Sequence, residues 1–184
     1  MPDAFSSSFP PRKGRTHEVC GPGASTFAAI ACGLSELPNL WIVEAWRQER
    51  LNPVGLSRFC DPAKVLIAEA GGHMEQLAMA EEALRTKAVA TVVAELHAPL
   101  DLTAGRRLQL AAEEGGTLGL MLIPEGMGSN AAETRWRCTP ALTTDDSTRF
   151  DWEIIKNKSG TLRAWSLFWD GSAHRISVVS EARL

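Results

Sequence analysis

Four continuous apolar runs separated by amphipathic stretches constrain this chain most. "LWIVE" (Leu40–Glu44), "KVLIAE" (Lys64–Glu69), "AVATVVAEL" (Ala88–Leu96) and "LGLMLIP" have no polar/apolar alternation, so each reads as a strand buried on both faces. Between them lie helical periods. Phe27, Ile30, Ala31 and Leu34 fall at i, i+3, i+4 and i+7. Met74, Leu77, Ala78 and Leu84 predict a helix over about 75–87, and "LTAGRRLQLAAEEGG" predicts a helix with a glycine stop. Buried strands alternating with amphipathic helices give a mostly parallel sheet covered on both sides. After Pro124 the pattern changes. "TRWRCT", "FDWEIIK", "LRAWSLFW" and "HRISVV" follow one another with turn chemistry at Lys158-Ser159-Gly160-Thr161 and Asp170-Gly171-Ser172. The expectation is a three-layer α/β fold with an antiparallel C-terminal edge. Residues 16–184 form one domain, preceded by a flexible arm over 1–15, in which Phe5 and Phe9 are candidates for docking but a frayed end is expected.

With 184 residues and 45% apolar content, one sizeable core is available. The net charge of −3 argues against binding nucleic acid by bulk charge, so any DNA contact should be weak or indirect. Arg12, Lys13 and Arg15 in the arm could add phosphate contacts, and Arg135 and Arg137 flank Trp136 on a polar strand face. Cys20, Cys32, Cys60 and Cys138 stand singly, as do His17, His73, His97 and His174, so no metal site is expected and the thiols read as buried and reduced in a cytoplasmic protein. No apolar run is long enough to span a membrane, and "MPDAFSSSFPPRKGR" lacks the apolar segment of a secretory signal.

The chemistry-bearing stretch is "HEVCGPGASTFAAI", His17 to Ile30. A phosphate-binding loop has the form G-x-x-x-x-G-K-[ST], in which backbone amides wrap the phosphates, the lysine neutralises them and the hydroxyl holds magnesium. Over Gly21, Pro22, Gly23, Ala24, Ser25, Thr26, Phe27 and Ala28, only the first glycine is kept. Thr26 replaces the second glycine, Phe27 the lysine and Ala28 the hydroxyl residue. Phe27 is in register with the apolar helix face. The alternative is a plain strand-to-helix turn, and neither reading implies a cofactor.

The order of segments resembles the core of RecA-type recombinases, whose loop reads G-P-E-S-S-G-K-T; Gly21-Pro22 matches its start. The resemblance covers roughly 16–169. Where that family has D-A-E, with glutamate as catalytic base, this chain has Glu44-Ala45-Trp46. Glu95 stands at the Walker B position, either as a surviving metal ligand or as a surface strand-end carboxylate. "Ile154-Ile155-Lys156-Asn157-Lys158" resembles V-V-K-N-K, whose lysines reach the ATP of a neighbouring subunit. Read plainly, Lys156 and Lys158 are solvated lysines ahead of a turn. Within the superfamily, "HEVCGPGASTFAA", "LWIVEAWRQERLNPVGL", "AEEALRTKAVATVVAEL" and "ETRWRC" resemble the ImuA-type accessory proteins of bacterial inducible mutagenesis. That resemblance implies a non-catalytic, SOS-induced protein, cytoplasmic and nucleoid-associated after damage. Its implied partners are a RecA-type recombinase, a Y-family-like polymerase homologue and, indirectly, an error-prone C-family polymerase. Two other readings fit the same residues: a SulA-like inhibitor of the tubulin-like division protein, and a weak RecA-type ATPase.

Trp165 and Trp169 alternate with Ala164, Ser166 and Phe168, so their strand is either buried on both faces or offers an aromatic face to a partner. Lys156, Lys158, Trp165 and Trp169 are the candidate partner-binding residues.

Overall fold

A computed structural model describes residues 4–144 and 147–183. Nine strands form one sheet: β1 (Thr16–Cys20), β2 (Asn39–Glu44), β3 (Val65–Ala70), β4 (Thr91–Glu95), β5 (Leu118–Leu122), β6 (Thr134–Ala141), β7 (Thr148–Asn157), β8 (Arg163–Asp170) and β9 (Arg175–Arg183). Their order is β3-β2-β4-β5-β1-β6-β7-β8-β9. The pairings from β3 to β6 are parallel and those from β6 to β9 antiparallel, as the change of pattern after Pro124 predicts.

The helices are α1 (Ala24–Gly33), α2 (Pro53–Leu56), α3 (His73–Arg85) and α4 (Leu102–Gly115). Each has a local cause. Asn52 accepts the Val54 N–H and Pro53 opens the short α2, an element whose four residues give no periodicity to read. Asp101 accepts the Ala104 N–H at 2.7 Å to start α4, and Gly116, at φ +66°, ends it in the left-handed conformation.

Alternate strand residues point to opposite layers. Val19, Trp41, Val43, Val93 and Leu120 pack on the α1 side, whereas Cys20, Ile42, Val92, Ala94 and Met121 pack on the α3 and α4 side. Two expectations change here. β3 is not buried on both faces: it is an edge strand, and Leu66 and Ile67 are about half exposed, at 53% and 48%. The arm is not frayed over its described part. Phe5 and Phe9 are buried in the α1-side core, with Phe9 5.2 Å from the Phe27 ring and Phe5 5.4 Å from Trp165. The two phenylalanines supply roughly 1.5–3 kcal/mol of burial each, one part of what offsets ordering this segment.

His17 fastens that arm. Its buried ring makes bonds from both nitrogens, to Arg12 O at 3.0 Å and to Thr134 Oγ1 at 2.7 Å. A carbonyl only accepts, so Nε2 carries the proton and Nδ1 accepts from Thr134. Thr134 Oγ1 in turn accepts the Trp136 indole N–H at 2.9 Å. Burial lowers the His17 pKa to about 4, with the Arg12 carbonyl bond opposing the shift.

All four cysteines are free and buried. Among the described residues no helix is long and apolar enough to cross a membrane.

Candidate functional site

The Gly21-Pro22-Gly23 stretch is a three-residue turn pressed against β6. Cys20 ends β1 and α1 already begins at Ala24, so Ser25 and Thr26 lie in the first helical turn. The glycines answer to the neighbouring strand. Gly21 sits at φ +90°, and a Cβ on it would come 2.6 Å from Cys138 O. The Gly23 N–H donates to that same carbonyl at 2.8 Å, and a Cβ there would lie 3.0 Å from it. An amide that a phosphate loop would turn toward its ligand is therefore bonded to β6. Phe27 and Ala28 are fully buried. Phe27 packs 4.6 Å from the Trp152 ring and 5.2 Å from Trp136, so the lysine position points into an aromatic core.

A second constellation stands where β2 and β4 end. Glu95 is partly buried rather than a free surface carboxylate: Oε1 accepts the Trp41 indole N–H at 2.8 Å and Oε2 pairs with Arg47 at 3.1 Å. Arg47 Nη1 also donates to His97 Nε2 at 2.7 Å. Arginine only donates, so the His97 ring proton lies on Nδ1, which is 3.5 Å from Glu44 Oε2 and has no hydrogen-bond partner. The nearly buried Glu44 accepts the Trp46 indole N–H at 2.7 Å through Oε2. Beneath them, fully buried Gln76 ties the two strands together, its Nε2 donating to Ile42 O at 3.2 Å and Glu95 O at 2.8 Å. Arg47, Glu95 and His97 share a depression of about 190 Å³ with Ala24, Ser25 and Pro124. Ligand pockets commonly run to roughly 300–1,000 Å³, so this depression is small for a nucleoside triphosphate. Its one guanidinium is already held by a carboxylate.

The other sequence-predicted residues lie elsewhere. Trp165 and Trp169 are buried, which removes the exposed aromatic face; Trp165 stacks on Trp136 at 5.8 Å and Trp169 donates to Arg58 O at 3.0 Å. The other face of β8 carries the half-buried Ala164, Ser166 and Phe168, so the strand is not fully buried on both sides either. Lys156 is half-buried and Lys158 exposed, and neither ammonium group is free. Their ammonium groups turn inward onto Ala132 O and Ala131 O, the latter at 2.5 Å. Burial lowers the Lys156 pKa, and the Lys158 charge adds to that.

Sequence reasoning missed Glu18. It is fully buried in β1, accepts from Arg135 Nε at 2.7 Å and from Ser129 N at 2.5 Å, and holds the segment between β5 and β6 against the sheet. A glutamate inside the otherwise apolar "EVC" of a central strand was the available signal. Arg135 thus serves a buried ion pair, while Arg137 pairs with Glu125 and Glu153.

No family model matches the chain. It is similar to the proteins called Protein ImuA from two strains of Caulobacter vibrioides, with 38% identity over 149 residues in each case. The match takes in 70% of this chain and 61% of each relative, so the chain spans less than two thirds of the length of these curated relatives.

Proposed function

Because the chain is of the ImuA type over the stretch that it shares with these relatives, we propose that it is a non-catalytic adaptor in damage-induced, mutagenic DNA synthesis. The observation that carries the non-catalytic part is the closed turn: the Gly23 amide is bonded to Cys138 O, and Phe27 fills the core where a lysine would meet phosphate. Hydrolysis needs a cation on the terminal phosphate, a metal-binding hydroxyl and a base that orients water. Phe27, Ala28 and Trp46 stand at those positions. An adaptor needs only surfaces. Its proposed partners are a RecA-type recombinase and a Y-family-like polymerase homologue, with an error-prone C-family polymerase reached through the latter. DNA contact is indirect, since a chain of net charge −3 releases few counterions. The proposed setting is the cytoplasm, at the nucleoid after damage.

Calorimetry with Mg-ATP tests the reading. The expected result is no saturable heat up to millimolar nucleotide. Saturable binding in the micromolar range would overturn it in favour of a weak ATPase.

A further inference from the structure

Of six tryptophans, Trp46 alone is exposed, at 66%; the other five are buried. It is also held still. Its indole N–H is bonded to the nearly buried Glu44, its ring stands edge-on to His97 at a centroid distance of 5.8 Å, and the backbone on either side is tied by Ala45 N to Ala70 O at 2.8 Å and Arg47 N to Glu44 O at 3.1 Å. A large aromatic ring fixed in one orientation in water suits an interaction anchor, because little conformational freedom is left to lose on binding.

The charge at the strand ends here is predominantly negative. Glu44, Glu69 and Glu95 lie at the ends of three adjacent strands, β2, β3 and β4, while Glu49 follows on the connecting segment and Glu75 sits in the first turn of α3. Against these five carboxylates stand two guanidiniums. Arg47 lies between Glu49 and Glu95, at 3.3 and 3.1 Å, and Arg50 lies 3.1 Å from Glu69. Glu49 and Glu69 keep 79% and 49% of their side-chain surface open to solvent. An excess of carboxylates at the strand ends beside an exposed indole complements a cation, which the ring face attracts through its quadrupole.

We propose that the ends of β2, β3 and β4 form a docking face for an arginine- or lysine-bearing segment of a protein partner. The cation lies on the Trp46 indole and its charge is answered by Glu49 and Glu69. A guanidinium fits better than an ammonium, since it stacks on the ring and bonds a carboxylate at once. This deepens the adaptor reading and rests on it.

The test is selection of random dodecapeptides displayed on phage against the immobilised full chain, followed by titration of the winning synthetic peptides. In the wild type, quenching of the exposed Trp46 reports where they bind, and calorimetry gives the affinities for wild type and variants alike. The expected winners carry arginine or lysine beside an apolar residue. Trp46→Ala should weaken them about tenfold or more, and Glu49→Lys/Glu69→Lys should do likewise while the melting curve stays that of the wild type. Acidic or neutral winners, no enrichment, or binding indifferent to Trp46→Ala would overturn the proposal. So would self-association abolished by Trp46→Ala, which would give the face to a second copy. Micromolar Mg-ATP binding would remove the adaptor reading and leave the peptide result standing; peptides indifferent to Trp46 would remove only the docking face.

Discussion

The turn after β1 and the ends of β2, β3 and β4 lie at the same end of one parallel sheet, yet their chemistry is opposite. Around the turn everything is closed. Glycines let Cys138 O approach, the Gly23 amide is consumed by it, and Phe27 joins Phe9, Trp136 and Trp152 in a core without charge. At the other strand ends carboxylates gather, a tryptophan stands in water, and the guanidiniums lie across carboxylates. In open α/β sheets the carboxyl ends of strands are where ligands bind. Here one part of that end has become core and the other has stayed polar and open. On the proposed reading the open part is the surface left for recognition, and restoring the loop motif is expected not to restore a nucleotide site.

The largest effect should come from forcing the closed region open. Phe27→Lys restores the motif's lysine but puts an ammonium among buried aromatic rings, with no carboxylate in that cluster to receive it. An unpaired buried charge of this kind costs on the order of 5 kcal/mol. The expected outcome in urea denaturation is a variant largely unfolded at 25 °C, without gain of ATP binding. A stable variant that binds Mg-ATP would show that the turn can still act as a phosphate loop, and the comparison would fail.

The next effect sharpens the closed side through pH. His17 is neutral in the fold, with its pKa depressed by burial from 6.5 to about 4. Its contribution is complete above the free value of 6.5 and is lost as the pH falls toward about 4, because the unfolded chain takes up the proton first. The loss should reach about 3 kcal/mol across that window. Urea midpoints measured from pH 8 downward should fall accordingly, and His17→Gln should flatten that part of the profile. An unchanged slope in His17→Gln would mean that other groups govern the acid limb.

Much of this architecture was legible from periodicity. The parallel-to-antiparallel change after Pro124 follows from apolar runs and turn residues, which act locally. What was not legible depends on contacts distant in sequence. Phe5 and Phe9 sit in a Ser- and Pro-rich segment, and their burial is set by Phe27, Trp152 and Trp165 far along the chain. β3 looks like a buried strand because composition does not tell a central position from an edge. Trp165 and Trp169 belong to the inner parity of β8, which is fixed only once β7 and β9 pair with it. At the site, the apolar character of Phe27 and Ala28, where a phosphate loop carries lysine and a hydroxyl, was legible. The Arg47–Glu95–His97 contacts were not, since they join the segment after β2 to the end of β4 through side chains that sequence spacing does not relate.

The central claim is that the turn after β1 is bonded to the protein itself and not poised for phosphate. Amide hydrogen exchange at Gly23, followed by NMR with and without millimolar Mg-ATP, tests it most directly. A hydrogen bond to Cys138 O should make that amide exchange slowly, with the same rate in both conditions. A fast-exchanging Gly23 amide that becomes protected only when nucleotide is added would contradict the claim.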